Sequence, residues 1–176
     1  MGSPQTRAPI DPPGLADPTE GAPLPCHPMS DDDVRSFLQS QPAHTAKVAT
    51  VRADGRSHVA PVWFALDTAA AGPDSPIGDI VFTTGEDTIK GKGLRRDPRV
   101  AICIDDERPP FSFVTIDGVA TLSDDSGEVA RWAAMLGGRY MGGERAEEYG
   151  RRNGVPGELL VRVRPLRIVA VADLAD

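Results

Sequence analysis

With two cysteines and three histidines among 176 residues, the chain has little material for a disulfide framework or a metal centre. Cys26 falls in the N-terminal stretch. Cys103 sits in the apolar run "VAICI" and reads as a small buried hydrophobe. His27, His44 and His58 are scattered, and no Ser-His-Asp or Cys-His arrangement can be assembled around them. Long apolar runs are absent, so no membrane-spanning segment is expected. The N-terminus lacks the apolar centre of a signal peptide, and the expected location is the cytoplasm. Positive charge is also in deficit, with 19 basic against 26 acidic residues and a net charge of −7. Residues 1–44 carry Arg7 and Arg35 against six acids, which leaves −3 for the remainder. A general nucleic-acid binder needs a basic surface to release counterions, so that class is set aside. One small anionic ligand is not. No βαβ repeat, nucleotide P-loop or Gly-x-Gly-x-x-Gly fingerprint is present.

What is there begins with a Pro/Gly/acid-rich stretch, residues 1–28, which reads as a disordered tail. A single domain, residues 29–176, is expected to follow. In "MSDDDVRSFLQSQ", Ser30 and Asp33 have capping-box spacing, and Val34, Phe37 and Leu38 form an apolar stripe. "TAKVATVRADGRSHVAPVWFALD" holds two β-rich runs around Asp54-Gly55, a pair suited to a hairpin turn. "DIVFTT", "RVAICID" and "FSFVTIDGVATLS" read as further strands, with Gly118 marking a bulge. "SGEVARWAAMLGGRYM" and "GERAEEYGRRNG" read as helices, and "ELLVRVRPLRIVAVAD" as a last strand interrupted by Pro165. The expectation is a mainly β protein with short helices and about six antiparallel strands, closed into a barrel that removes exposed edges.

Against the acidic background, "TTGEDTIKGKGLRRDPRV" concentrates Lys90, Lys92, Arg95, Arg96 and Arg99, with glycines between the lysines. Thr83, Thr84 and Thr88 add hydroxyls. Ammonium groups with backbone amides of a Gly-rich turn or helix start suit a phosphate or phosphodiester. Composition alone favours a solvated charged helix whose Arg95 and Arg96 face water. Trp63 and Phe64 alternate with Val62, so at least one is core. His58 reads either as a general acid or as an exposed hairpin residue without a role. Tyr140 and Tyr149 offer phenols but read first as packing residues, and Asp105, Asp106 and Glu107 read as a solvated strand end rather than a metal cluster.

The hairpin pattern T-x-R-x-D-G-R-x-H-V-x-P-V-W-F and the segment K-x-K-x-L-R-R-D-P-R-V together resemble the pyridoxamine-phosphate-oxidase-like superfamily of split β-barrels (FMN-binding-like). Within it they resemble the actinobacterial branch that uses the deazaflavin coenzyme F-420. The resemblance spans residues 29–173. It implies that Lys90 and Lys92 hold the coenzyme's phosphate-bearing tail, and that Thr83 and Thr88 add polar contacts. It places His58, Val59, Ala60, Pro61 and Val62 beside the ring. Relatives often carry Asn where this chain has Gly93, so one side-chain contact is missing. The resemblance further implies a homodimer with the coenzyme between subunits.

The implied activity is a reductase that moves a hydride from the reduced deazaflavin to an unsaturated small molecule. No side chain is assigned as catalytic, since solvent can supply the proton. No metal is expected. An FMN-dependent oxidase or reductase of the same fold is the alternative. "VAPVWFA" and "DIVFTT" lack the basic residues that FMN relatives carry on these strands, which favours the deazaflavin. A non-enzymatic protein that binds or sequesters the coenzyme is the third reading.

Overall fold

The computed structural model describes residues 27–175. Its elements are β1 (His27–Pro28), α1 (Asp31–Gln39), β2 (Ala46–Val51), β3 (Ser57–Val62), β4 (Ala65–Asp67), β5 (Asp79–Gly85), α2 (Ile89–Arg96), β6 (Arg99–Asp106), β7 (Ser112–Ser123), α3 (Ser126–Met141), α4 (Ala146–Asn153) and β8 (Glu158–Ala172). Of the expected tail, His27 and Pro28 pair with Ala172 and Val171 of β8, and residues 1–26 lie outside the described part. No helix among the described residues is long and apolar enough to cross a membrane.

All pairings between named strands are antiparallel, in the order β3-β2-β6-β7-β8-β5-β4 with β1 beside β8. Eight strands replace the expected six. One addition is β1. The other arises because the second hairpin run breaks at Trp63-Phe64 into β3 and β4, which end up at opposite edges of the sheet. Only Trp63 and Phe64 separate these edges along the chain, so Val62 and Ala65 lie within about 11 Å of each other. The sheet therefore curls into a barrel but has no hydrogen-bonded ladder between β3 and β4. The closure expected from strand spacing is not formed, and the split barrel that the resemblance implies is.

A distant side chain stabilises the break. The Tyr140 hydroxyl donates to the His44 carbonyl at 2.5 Å and accepts from the Phe64 amide at 3.1 Å. It thereby satisfies a backbone group that the interrupted ladder leaves free. Phe64 is fully buried in the core with Val48, Phe82, Ile102, Ile104 and Ile116. Val34 and Leu38 of α1 join that core. Ser30 caps their helix reciprocally with Asp33, as its spacing implies. The hairpin turns at Gly55, φ +83°. Gly118 lies at the shift in β7–β8 register, opposite Pro165, where a Cβ would come within 2.6 Å of Val163 Cγ1. Pro165 has no amide to give the ladder, so bulge and proline coincide.

Candidate functional site

The first turn of α2 is built by Thr88. Its hydroxyl donates to Gly85 O at 2.8 Å, accepts from Gly91 N at 2.9 Å and lies 3.1 Å from Thr84 Oγ1. Thr88 is thus the N-cap, with its only hydrogen already given to the backbone. A Cβ on Gly91 would lie 2.5 Å from Gly85 O, and one on Gly93 would lie 3.3 Å from Val51 O and 3.4 Å from Thr50 Oγ1. The two glycines let α2 press against the end of β5 and against β2.

Residues 90 and 92 of a helix point about 200° apart. Lys90 turns inward and is only 9% exposed, with its ammonium 5.4 Å from the centre of the Phe82 ring. It makes no hydrogen bond or ion pair with another described residue. Burial holds its pKa below the ordinary lysine value, partly opposed by Glu158. Burial likewise raises the Glu158 pKa, with Lys90 opposing. Lys92 points outward and lies 3.1 Å from Asp87. Arg95 pairs with Glu86 at 2.7 Å, and Arg96 donates to the Val51 carbonyl instead of facing water alone. Arg99 grips Asp97 at 2.7 Å, and that hydrogen-bonded contact pulls the Asp97 pKa down to about 2.

Lys90 lines a cavity of about 210 Å³ together with Thr83, Pro61, Val62, Trp63, Tyr149 and Asn153, floored by Ala133 and Leu136. Four of the expected site residues thus meet: Thr83, Lys90, Pro61 and Val62. His58, Val59 and Ala60 continue along β3 outside this cavity, with His58 Nδ1 3.4 Å from Arg52 Nη2 and Val59 largely exposed. Lys92 instead lines a shallow groove of about 350 Å³ with Arg52, Ile89 and Arg96.

Five lining residues were not expected there: Trp63, Tyr149, Asn153, Ala133 and Leu136. Trp63 stacks on Tyr140 at 5.0 Å with ring planes 3° apart, and the Tyr149 ring lies 5.3 Å away, tilted by 58°. Phe64 is the core member of that pair of aromatics. Tyr149 and Asn153 are four residues apart on α4 and so share a face, a signal present in "YGRRN". Two members of the acidic run 105–107 are engaged in ion pairs, Asp105 with Lys47 at 2.5 Å and Asp106 with Arg108 at 2.8 Å. Cys103 is half-buried rather than a core residue.

The sequence matches the pyridoxamine 5'-phosphate oxidase family model over residues 30–172. No curated protein matches it. Among solved structures, a conserved hypothetical protein of Mycobacterium tuberculosis is 24% identical with a TM-score of 0.66, covering 81% of this chain and 84% of that one. An F-420 reductase is 22% identical with a TM-score of 0.55, covering 76% and 94%. A heme storage protein of Vibrio cholerae is 20% identical with a TM-score of 0.59, covering 82% and 97%.

Proposed function

The chain belongs to the pyridoxamine 5'-phosphate oxidase family, and on that premise we propose that it is an oxidoreductase using the deazaflavin coenzyme F-420 to reduce an unsaturated small molecule. Lys90 carries this reading. A buried ammonium without a partner among the described residues is costly unless an anion completes it, and Lys90 opens onto a cavity beside the edge strand β3. Lys90 and Thr83 would hold the phosphoryl group, and Pro61 and Val62 would flank the start of the ring. His58, Val59 and Ala60 continue that strand, where the ring would extend. When bound, the reduced coenzyme supplies a hydride. The protein's part is to bind and orient it and to leave one ring face open to the substrate. No described side chain is needed as acid, since solvent supplies the proton.

The cavity's volume of about 210 Å³ is below the roughly 300 Å³ at which pockets for drug-sized ligands begin, so it would not enclose the whole coenzyme. Most of it would lie over β3 and against a second copy of the chain. The outer face of β2, β6, β7 and β8 favours such a dimer. It carries an apolar groove of about 510 Å³ lined by Ala49, Val51, Ala101, Val119 and Leu166, with Leu166 62% exposed. Sedimentation at micromolar concentration should give twice the 18.7 kDa chain mass.

One observation favours FMN as the second reading. Lys90 and Lys92 stand on opposite sides of α2, so only a tail long enough to round its first turn can touch both. A compact terminal phosphate needs Lys90 alone. Protein purified from a host that makes both coenzymes settles the matter by its absorption spectrum, followed by turnover of the reduced form with an enone. Bound F-420 with turnover supports the reading. Bound FMN transfers the protein to the flavin branch. Binding without turnover of any unsaturated acceptor supports a sequestering role like that implied by the heme storage relative.

A further inference from the structure

The cavity around Lys90 has two walls. One is the barrel, through Thr83 of β5, Lys90 of α2 and Trp63 beyond β3. The other is α4, through Tyr149 and Asn153. That second wall is held at close range by contacts only small residues permit. A Cβ on Gly137 of α3 would lie 2.6 Å from Tyr149 Cβ. On Gly150 it would lie 2.9 Å from Ala130 O, and on Gly154 2.5 Å from Ala130 Cβ. Side chains larger than glycine at these three positions would force α3 and α4 apart, so the close packing of α4 on α3 sets where Tyr149 and Asn153 stand.

Each polar side chain of the lining can donate a hydrogen bond. Lys90 offers an ammonium with three hydrogens, Asn153 an amide NH₂, and Tyr149 and Thr83 hydroxyls. None of these four side chains makes a hydrogen bond or ion pair with another described residue. Lys90 is the cavity's charged member, buried to about nine-tenths. Glu158 acts on Lys90 electrostatically but does not line the cavity. Unused hydrogen-bonding groups beside a buried cation, in a cavity of about 210 Å³, suit a small oxyanion. We propose that Tyr149 and Asn153 form its second wall and, with Thr83 and Lys90, bind a phosphoryl oxyanion. The inference rests on the coenzyme reading for the identity of the phosphoryl carrier, but not for the existence of the site.

The probe is inorganic phosphate, and the reporter is tryptophan fluorescence, since Trp63 borders the cavity. Circular dichroism checks the fold of each variant. Phosphate should change the emission of the wild-type chain saturably. Tyr149→Phe and Asn153→Ala should each weaken its binding by about tenfold, the scale of one hydrogen bond to a charged group. Asn153→Asp, nearly isosteric, should abolish binding by placing a like charge in the site. Equal phosphate affinity in all three variants, or no saturable response in the wild type, overturns the proposal. F-420 and FMN titrations separate it from the coenzyme reading. If the variants lose phosphate and neither coenzyme binds the wild type, the oxyanion site stands and the coenzyme reading falls. If F-420 binds the wild type and all three variants alike, the coenzyme reading stands and this second wall falls.

Discussion

Lys90 and Lys92 lie two residues apart on one helix and occupy different media. The first is buried over Phe82 and faces a cavity, while the second is exposed and pairs with Asp87. Five basic residues in a short stretch suggest one basic site, but the helix distributes them. Only one is placed where desolvation makes an absent anion costly. The others are engaged with Glu86, Asp87, Asp97 and the Val51 carbonyl. Local charge density is thus a poor guide to a binding site, and burial without a partner is a better one.

The largest test of that contrast is coenzyme affinity. Lys90→Ala should weaken binding of F-420 or FMN by about tenfold to a hundredfold, from the loss of a hydrogen bond to a charged group. A fluorescence titration measures it. Unchanged affinity would return α2 to the role of a charged surface helix and remove the basis for the proposed site.

The second test separates the two glycines that set this geometry. Gly91→Ala puts a methyl 2.5 Å from a backbone oxygen that cannot easily yield. Overpacking should outweigh the gain of about 1 kcal/mol in helix propensity and leave a net loss of about 2 kcal/mol. At this chain length that lowers the melting temperature by about 4–8 °C. Gly93→Ala meets its nearest atom at 3.3 Å, so propensity and crowding should offset to within about 0.5 kcal/mol. Equal losses at both positions would show that α2 is not seated on β5 through Gly91.

These glycines also mark where sequence reading stopped. The Ser30–Asp33 cap, the Asp54-Gly55 turn and the Gly118 bulge are local, and each was legible because its partners lie within a few residues or its residue type admits few alternatives. The cap at Thr88 makes this stretch a helix and imposes its period, so Lys90 and Lys92, expected to hold one coenzyme tail, leave α2 on different sides. The helical period alone would have separated the lysines. The split at Trp63-Phe64 was not legible, because the hydroxyl that stabilises it comes from Tyr140, 76 residues from Phe64. Tyr149 and Asn153 escaped for a similar reason. Their place depends on α3 and α4 packing at Gly137, Gly150 and Gly154, a contact that names no partner until the barrel is in place.

A third test uses pH. Burial lowers the Lys90 pKa in the folded chain below its ordinary 10.5, so the charged lysine destabilises the fold. Between the lowered folded value and 10.5 the unfolded chain binds more protons, and stability rises with pH across that window. Lys90→Met removes the burdened charge. It should be more stable than wild type at neutral pH, by an amount that shrinks as pH climbs toward 10.5. Denaturant unfolding of both chains at matched pH reads this out. A gap that stays constant with pH would mean that Lys90 carries no charge penalty in the fold.

The smallest expected effect belongs to Lys92, and it decides how a ligand lies across the helix. Its ion pair with Asp87 joins two well-exposed side chains, so Lys92→Ala should change stability by less than about 0.5 kcal/mol. A ligand confined to the Lys90 cavity should lose less than about threefold in affinity, through screened long-range attraction alone. Added salt should reduce even that difference. The informative deviation is selective. If Lys92→Ala weakens F-420 by about tenfold, the size of a direct charged contact, and leaves FMN untouched, the longer tail rounds the first turn of α2 and engages Arg52 and Lys92 in the outer groove. Both faces would then belong to one extended site, with its buried end at Lys90 and its exposed end at Lys92. If neither coenzyme responds, the outer face is a solvated surface and the anionic ligand ends at the cavity.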